Sequence, residues 1–266
     1  MSARYPERIV CLTEETTETL YLLGEEQRIV GISGYTVRPA RARREKPRVS
    51  AFLSAKNDRI LALEPDLVIG FSDLQADIAR DLAKAGLNVL IFNQRTVPAI
   101  LSMILTLASL VGAAAKGERL VVELESGLDA IRADAARFPR RPRVYFEEWD
   151  EPMISGIGWV SELIGIAGGE DVFSELAGSQ AATGRVIADP GEVVRRQPDV
   201  ILGSWCGKKF RPERVVARTG WTEVPAVRDG ELHEIKSADI LQPGPAALTD
   251  GVRRIHAILA RWSNVV

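Results

Sequence analysis

Pro65-Asp66-Leu67-Val68-Ile69-Gly70 is followed, 133 positions further on, by Pro198-Asp199-Val200-Ile201-Leu202-Gly203. Each is an apolar run of strand length, entered through Pro-Asp and left through glycine. The sequence ahead of them is repeated as well. Arg8-Ile9-Val10-Cys11-Leu12 is matched by Arg143-Val144-Tyr145-Phe146-Glu147. Thr17-Glu18-Thr19-Leu20 before Gly24 is matched by Ser161-Glu162-Leu163-Ile164 before Gly168-Gly169. Three echoes in one order at similar offsets predict two lobes of related topology.

Around the first echo, strands and helices alternate over short connections. Arg8–Leu12, Ile29–Ile32, Asp66–Gly70 and Val89–Phe92 read as strands, and Glu14–Leu23, Lys56–Leu63 and Asp77–Ala85 as helices. Acidic residues occupy the first turn of the first helix, and Gly24 stops it. This alternation predicts a mostly parallel sheet covered on both faces. From Val97 the pattern becomes helical, through Val111 and again from Ala113 to Phe138, before Pro139-Arg140-Arg141-Pro142 ends it. The expectation is an α/β protein of two Rossmann-like lobes, residues 1–112 and 139–266, joined by one long rigid helix, 113–138, with a ligand cleft between the lobes.

Composition narrows the function classes. The chain has 266 residues, 46% hydrophobic and 26% charged, with a net charge of -2, so no global field draws a nucleic acid. The basic run from Arg38 to Arg48 reads as a solvated loop. Cys11, in an apolar run, and Cys206, in a turn, form no disulfide framework. No apolar run precedes Ile9, so no signal peptide is read, and no stretch is apolar for long enough to span a bilayer. A monomer is expected.

Open parallel sheets bind ligands beyond the carboxyl ends of their strands. Those exits carry Tyr35, Phe71-Ser72-Asp73 and Asn93-Gln94-Arg95 in the first lobe. In the second they carry Glu147-Glu148-Trp149-Asp150, Trp205 and the segment Asp239–Pro245, with Trp159 in a nearby glycine turn. Aromatic residues are only 6% of the chain, so their recurrence at strand exits points to a flat, partly apolar ligand. Gln94, Arg95, Glu148, Asp150, Asp239 and Gln242 are the polar groups available to orient its edges.

Over nearly its whole length the chain resembles the periplasmic binding proteins for cobalamin and ferric siderophores, most closely the cobalamin branch. The likeness rests on Arg8-Ile9-Val10, Leu22-Leu23-Gly24, Ile60 through Ile69, Gly168-Gly169-Glu170-Asp171-Val172-Phe173, Gln197 through Ile201 and a terminal helix from Ala246 to Trp262. The resemblance implies reversible binding of a corrinoid or iron chelate, without catalysis or a resident cofactor, and transient docking on the permease of an ABC importer. It implies aromatic ligand contacts at Tyr35, Phe52 and Phe71, docking glutamates at Glu18 and Glu162, and a periplasmic location. If Met1 is the native start, a cytoplasmic carrier or sensor is the alternative. Two positions depart from the pattern. The segment Ala238–Pro245 lacks an arginine expected near the cleft, and Arg185 stands where another aromatic is expected.

Two other readings use the residues differently. A hard-cation site from Glu147, Glu148, Asp150 and Glu151 is chemically feasible, whereas His233 and His256 are too few for a multi-histidine centre. Glu148 and Asp150, two apart on a strand, would share a face and serve as an acid/base pair. No nucleophile triad, phosphate loop or HExxH motif accompanies them.

Overall fold

The computed structural model describes residues 5–263. Contacts divide the chain into two units. One holds the chain through Gln94 together with Pro98–Leu124; the other holds Arg95–Val97 and the chain from Glu125.

The first unit alternates strictly. Strands β1 (Ile9–Cys11), β2 (Ile29–Ser33), β3 (Arg48–Ser50), β4 (Leu67–Phe71) and β5 (Val89–Phe92) form one parallel sheet in the order β3-β2-β1-β4-β5. Helices α1 (Glu14–Leu22), α2 (Ala42–Glu45), α3 (Asn57–Leu61) and α4 (Ala76–Lys84) connect them in turn. The central strands β1 and β4 are buried at every position, as a sheet covered on both faces demands. Val10, Leu12, Val49, Ile60, Val68 and Leu82 form one core cluster on this sheet. The helical region that follows is two helices, α5 (Val97–Leu110) and α6 (Ala114–Ala135), broken where Gly112 takes a φ of 73°. Helix α6 contributes to both units, because the division falls between Leu124 and Glu125.

The second unit repeats the centre of the first. Strands β6 (Arg143–Asp150), β7 (Met153–Ser155), β8 (Glu170–Asp171), β9 (Val200–Gly203) and β10 (Leu232–Glu234) make its sheet. Helices α7 (Gly158–Ile166), α8 (Gly191–Arg196), α9 (Pro212–Val216), α10 (Pro225–Arg228), α11 (Ser237–Ile240) and α12 (Val252–Ser263) complete it. The parallel order β8-β6-β9-β10 reproduces β2-β1-β4-β5. The antiparallel strand β7 has no counterpart in the first unit; it folds back on β6 through a register shift between Glu147 and Trp149. The last helix begins with a widened turn at Ala247–Gly251, where Gly251 lies against the backbone of Asp239 and leaves no room for a side chain.

The repeated Pro-Asp motif has a repeated job. Glu64 and Gln197, immediately before the prolines, take left-handed φ values of 46° and 44°; Gln197 caps α8, and Glu64 lies three residues past the end of α3. The following aspartates then turn back on the first strand of each unit. Asp66 accepts N–H bonds from Glu7 (2.7 Å) and Arg8 (3.0 Å), and Asp199 accepts one from Arg143 (2.8 Å). Arg8 and Arg143 in turn donate to carbonyls just ahead of the prolines, Leu63 and Glu64 in one unit and Arg196 in the other. The echo seen in sequence is a strand-register lock used twice.

Candidate ligand-binding site

In the first unit, β1 runs into α1 through Thr13, and the acidic residues that follow sink into the unit. Glu14 and Glu15 are buried, and Thr13 donates its hydroxyl to Glu15 at 2.6 Å. Burial and the neighbouring Glu15 push the Glu14 carboxyl up to about 8; burial pushes Glu15 up to about 7. Glu18, one helical turn on, accepts from Arg38 at 2.9 Å. These contacts tie down the loop after β2, which also returns on itself through the Thr36 N–H to the Ser33 carbonyl. Tyr35 stands out from this loop, 57% exposed.

The remaining exits of this unit are packed more tightly. Phe52 is half-buried in the loop after β3, and Phe71, the last residue of β4, is buried. Gln94 is buried after β5; Arg95, the next residue in the chain and the first of the second unit, is half-buried. Sequence reasoning missed Gln75, whose side chain is fully buried and links the loops of Phe52 and Phe71. A glutamine immediately before a helix gives no signal of such a role in sequence.

In the second unit, the acidic residues of β6 are each engaged by a cation. Glu147 is fully buried and accepts from both Arg218 nitrogens (2.5 and 2.9 Å), from the Tyr145 hydroxyl (2.9 Å) and from the Trp205 indole (2.9 Å). Glu148 pairs with the buried Arg185 at 2.6 and 3.1 Å. Asp150 pairs with Lys208 and, at 2.9 Å, with Arg214. Burial would raise the Asp150 carboxyl, but the Lys208 ammonium outweighs it and holds the group below its ordinary value.

That arrangement corrects two readings of the sequence. The acid/base pair needs one carboxyl held protonated, and Asp150 is driven the other way; Glu148 is clamped by an arginine. The hard-cation site needs free carboxylate oxygens, yet Glu147, Glu148 and Asp150 are neutralised by Arg218, Arg185 and Lys208. Among the described residues, no group of three or more His, Cys, Asp and Glu side chains is placed to hold a metal ion. His256 packs between the Asp134 carboxylate (2.7 Å) and the Phe138 ring, and His233 meets Glu231 at 2.6 Å.

The aromatic residues of this unit divide into two groups. Trp205 is buried against Phe210 with its indole on Glu147, and Trp159 is buried with its indole on the Ile240 carbonyl at 2.8 Å. Both rings therefore sit under the strand-exit surface, Trp159 beneath the α11 segment that carries the buried Asp239 and leads to the half-buried Gln242. Trp149 is half-buried at the end of β6, its indole on the Glu151 carbonyl, and Lys208 lies over its ring at 4.0 Å. Lys208 also stands 5.2 Å from the Trp205 ring, so Trp149, Asp150 and Trp205 converge on one ammonium. Lys208 was not read from sequence, although its place just after a strand-exit tryptophan is a signal that reasoning from strand ends can use. Glu162, on α7, accepts the Val97 N–H at 2.6 Å.

Two α/β units of common topology, with aromatic and charged side chains set on the loops after their parallel strands, define a solute-binding protein. The chain belongs to the periplasmic binding protein family, whose profile matches residues 9–238; this is a family of solute-binding proteins, not enzymes. A vitamin B12-binding protein of Vibrio parahaemolyticus is 27% identical over 252 residues, covering 91% of this chain and 86% of the relative. A periplasmic heme-binding protein from Roseiflexus sp. RS-1 is 26% identical, with a TM-score of 0.78 over 95% of this chain and 99% of the other. The periplasmic vitamin B12 binding protein of Vibrio cholerae shares the fold at a TM-score of 0.76 and 23% identity, over 97% and 98% of the two chains. Among the described residues no helix is long and apolar enough to cross a membrane.

Proposed function

We propose that this chain is the binding component of an ABC importer, reversibly taking up a corrinoid or a flat iron chelate on the strand-exit loops of its units. The observation that carries this reading is the placement of partly exposed aromatic rings at those exits. Tyr35 and Phe52 lie in one unit, and Trp149 with its Lys208 partner in the other. Such rings supply large apolar area at little entropic cost, and an ammonium beside one of them suits the polar rim of a macrocycle. The vitamin B12-binding and heme-binding names of the relatives point to the same ligand class. The protein works outside the inner membrane in this reading, which the periplasmic description of its family supports.

Glu18 and Glu162 occupy the fifth position of the nine-residue helices α1 and α7, one in each unit. That equivalence supports them as a matched pair of docking carboxylates for the permease, each held in place by its intramolecular partner.

Titration with cyanocobalamin, cobinamide and hemin, followed by tryptophan fluorescence and calorimetry, tests the reading. Saturable binding at micromolar Kd or tighter, about -8 kcal/mol or better, that weakens at least tenfold in Trp149→Ala and Tyr35→Ala is expected. Affinity unchanged in both variants would remove these exits as the site.

A further inference from the structure

The loop that carries Phe52 follows β3, and Phe71 ends β4, strands separated in the sheet by β2 and β1. One side chain joins them. The Gln75 amide oxygen accepts the Phe71 N–H at 2.9 Å, and its NH2 group donates to the Phe52 carbonyl at 2.9 Å. Gln75 is fully buried. A third tie connects the loop of Tyr35, because the Gly34 N–H donates to the Ser50 carbonyl at 2.7 Å. Three strand-exit loops are thus held as one piece by hydrogen bonds within the unit.

Room has been made for this link. A Cβ on Gly70 would come within 2.5 Å of the Gln75 amide oxygen, so glycine at that position admits the side chain. Ser72 takes a φ of 68°, in the left-handed region that a non-glycine residue enters only when its surroundings hold it there. Its hydroxyl accepts the Leu74 N–H at 3.2 Å, and its own N–H donates to the Phe92 carbonyl at 2.8 Å.

This arrangement presents large apolar side chains to water beside the exposed Ser54 and Asp73. Leu53 is 69% exposed and Leu74 60% exposed. With Tyr35 they are three of the four most exposed large apolar side chains among the described residues. All three belong to loops following strands of one parallel sheet, the end at which such sheets receive ligands. Leucines held exposed on loops fixed by a buried amide and a left-handed serine are available as apolar contacts.

We propose that Gln75 is the positioning residue of this unit's ligand face, and that Leu53 and Leu74, with Tyr35, are the apolar contacts it holds in place against the face of a flat ligand. The assignment rests on the binding function proposed above. Glutamine offers an acceptor to Phe71 and a donor to Phe52 from one side chain at any pH. Methionine keeps its length and loses both bonds, and an ionised glutamate keeps the acceptor alone.

The test uses the full chain as wild type, Gln75→Met, Gln75→Glu, Leu53→Ala and Leu74→Ala. Amide exchange is followed at Phe71 and residues 51–56, and binding is measured with cyanocobalamin and hemin at a temperature where every variant is folded. In Gln75→Met, exchange at Phe71 and in the 51–56 loop is expected to rise at least tenfold while β1 and β5 stay protected. The probe that wild type binds should bind about tenfold more weakly. Above the pH at which the new carboxyl ionises, Gln75→Glu should spare Phe71 and loosen the 51–56 loop. The two leucine variants should lose about tenfold in affinity with exchange at Phe71 unchanged, which a purely structural role for these loops does not produce. Wild-type exchange in Gln75→Met, or wild-type affinity in both leucine variants, would overturn the proposal. If wild type binds neither probe, the function proposed above falls, and exchange alone then decides whether Gln75 positions these loops.

Discussion

Glu147 shows what a single buried charge does in this fold. Its two oxygens are shared among Arg218, Tyr145 and Trp205, so no lone pair is left without a partner of the right kind. Glu147→Ala strands the Arg218 guanidinium beside a buried cavity, and chemical denaturation should show a loss of about 3–5 kcal/mol. The acidic start of α1 makes a prediction of opposite character. Glu14 and Glu15 have folded-state pKa values near 8 and 7, above the ordinary carboxylate value of 4.5. The folded state therefore holds more protons than the unfolded state between about pH 4.5 and 8, and stability falls as pH rises through that window. Melting temperature measured from pH 5 to pH 8.5 should decline by several degrees, and Glu14→Gln with Glu15→Gln should flatten the slope. A flat wild-type profile would show that these carboxyls ionise freely.

At the scale of elements, the strand-register lock is the testable feature. Asp66 accepts two backbone N–H groups at the start of β1, whereas Asp199 accepts one at the start of β6. These bonds lie at the surface, so each lost acceptor costs about 0.5–1.5 kcal/mol per bond. Asp66→Ala should therefore cost more than Asp199→Ala in urea unfolding; equal costs would mean that water replaces the second bond. The same comparison explains why Pro-Asp announced the fold. A left-handed residue and proline turn the chain between helix and strand, and aspartate starts the pairing of the strand, so the dipeptide marks a helix-to-strand connection twice. Strand β7 left no such mark, because three residues of edge strand after a turn carry no pattern long enough to read.

For the whole molecule, the prediction concerns transport. Neutralising the proposed docking pair with Glu18→Gln and Glu162→Gln retains the acceptor for Arg38 and for the Val97 N–H. Binding of cyanocobalamin or hemin should stay at the wild-type level while uptake by cells falls at least tenfold. Normal uptake would remove these carboxylates from docking.

The order of strands and helices, the repeat and the family were legible in the residues themselves, because hydrophobic period, Pro-Asp junctions and glycine stops are local properties of the chain. The strand exits were legible too, since they follow directly from where the strands end. Which exit residues face outward was not. Trp159 and Trp205 read like Trp149 in sequence, yet the Ile240 carbonyl and Glu147 draw their indoles inward. The cations that silence Glu147, Glu148 and Asp150 lie 37 to 71 positions away along the chain. Gln75 reaches a carbonyl 23 positions away. Sequence determined the scaffold and the loops that carry the chemistry; tertiary structure alone decided which side chains remain available on them, because partners distant in the chain set burial and charge pairing.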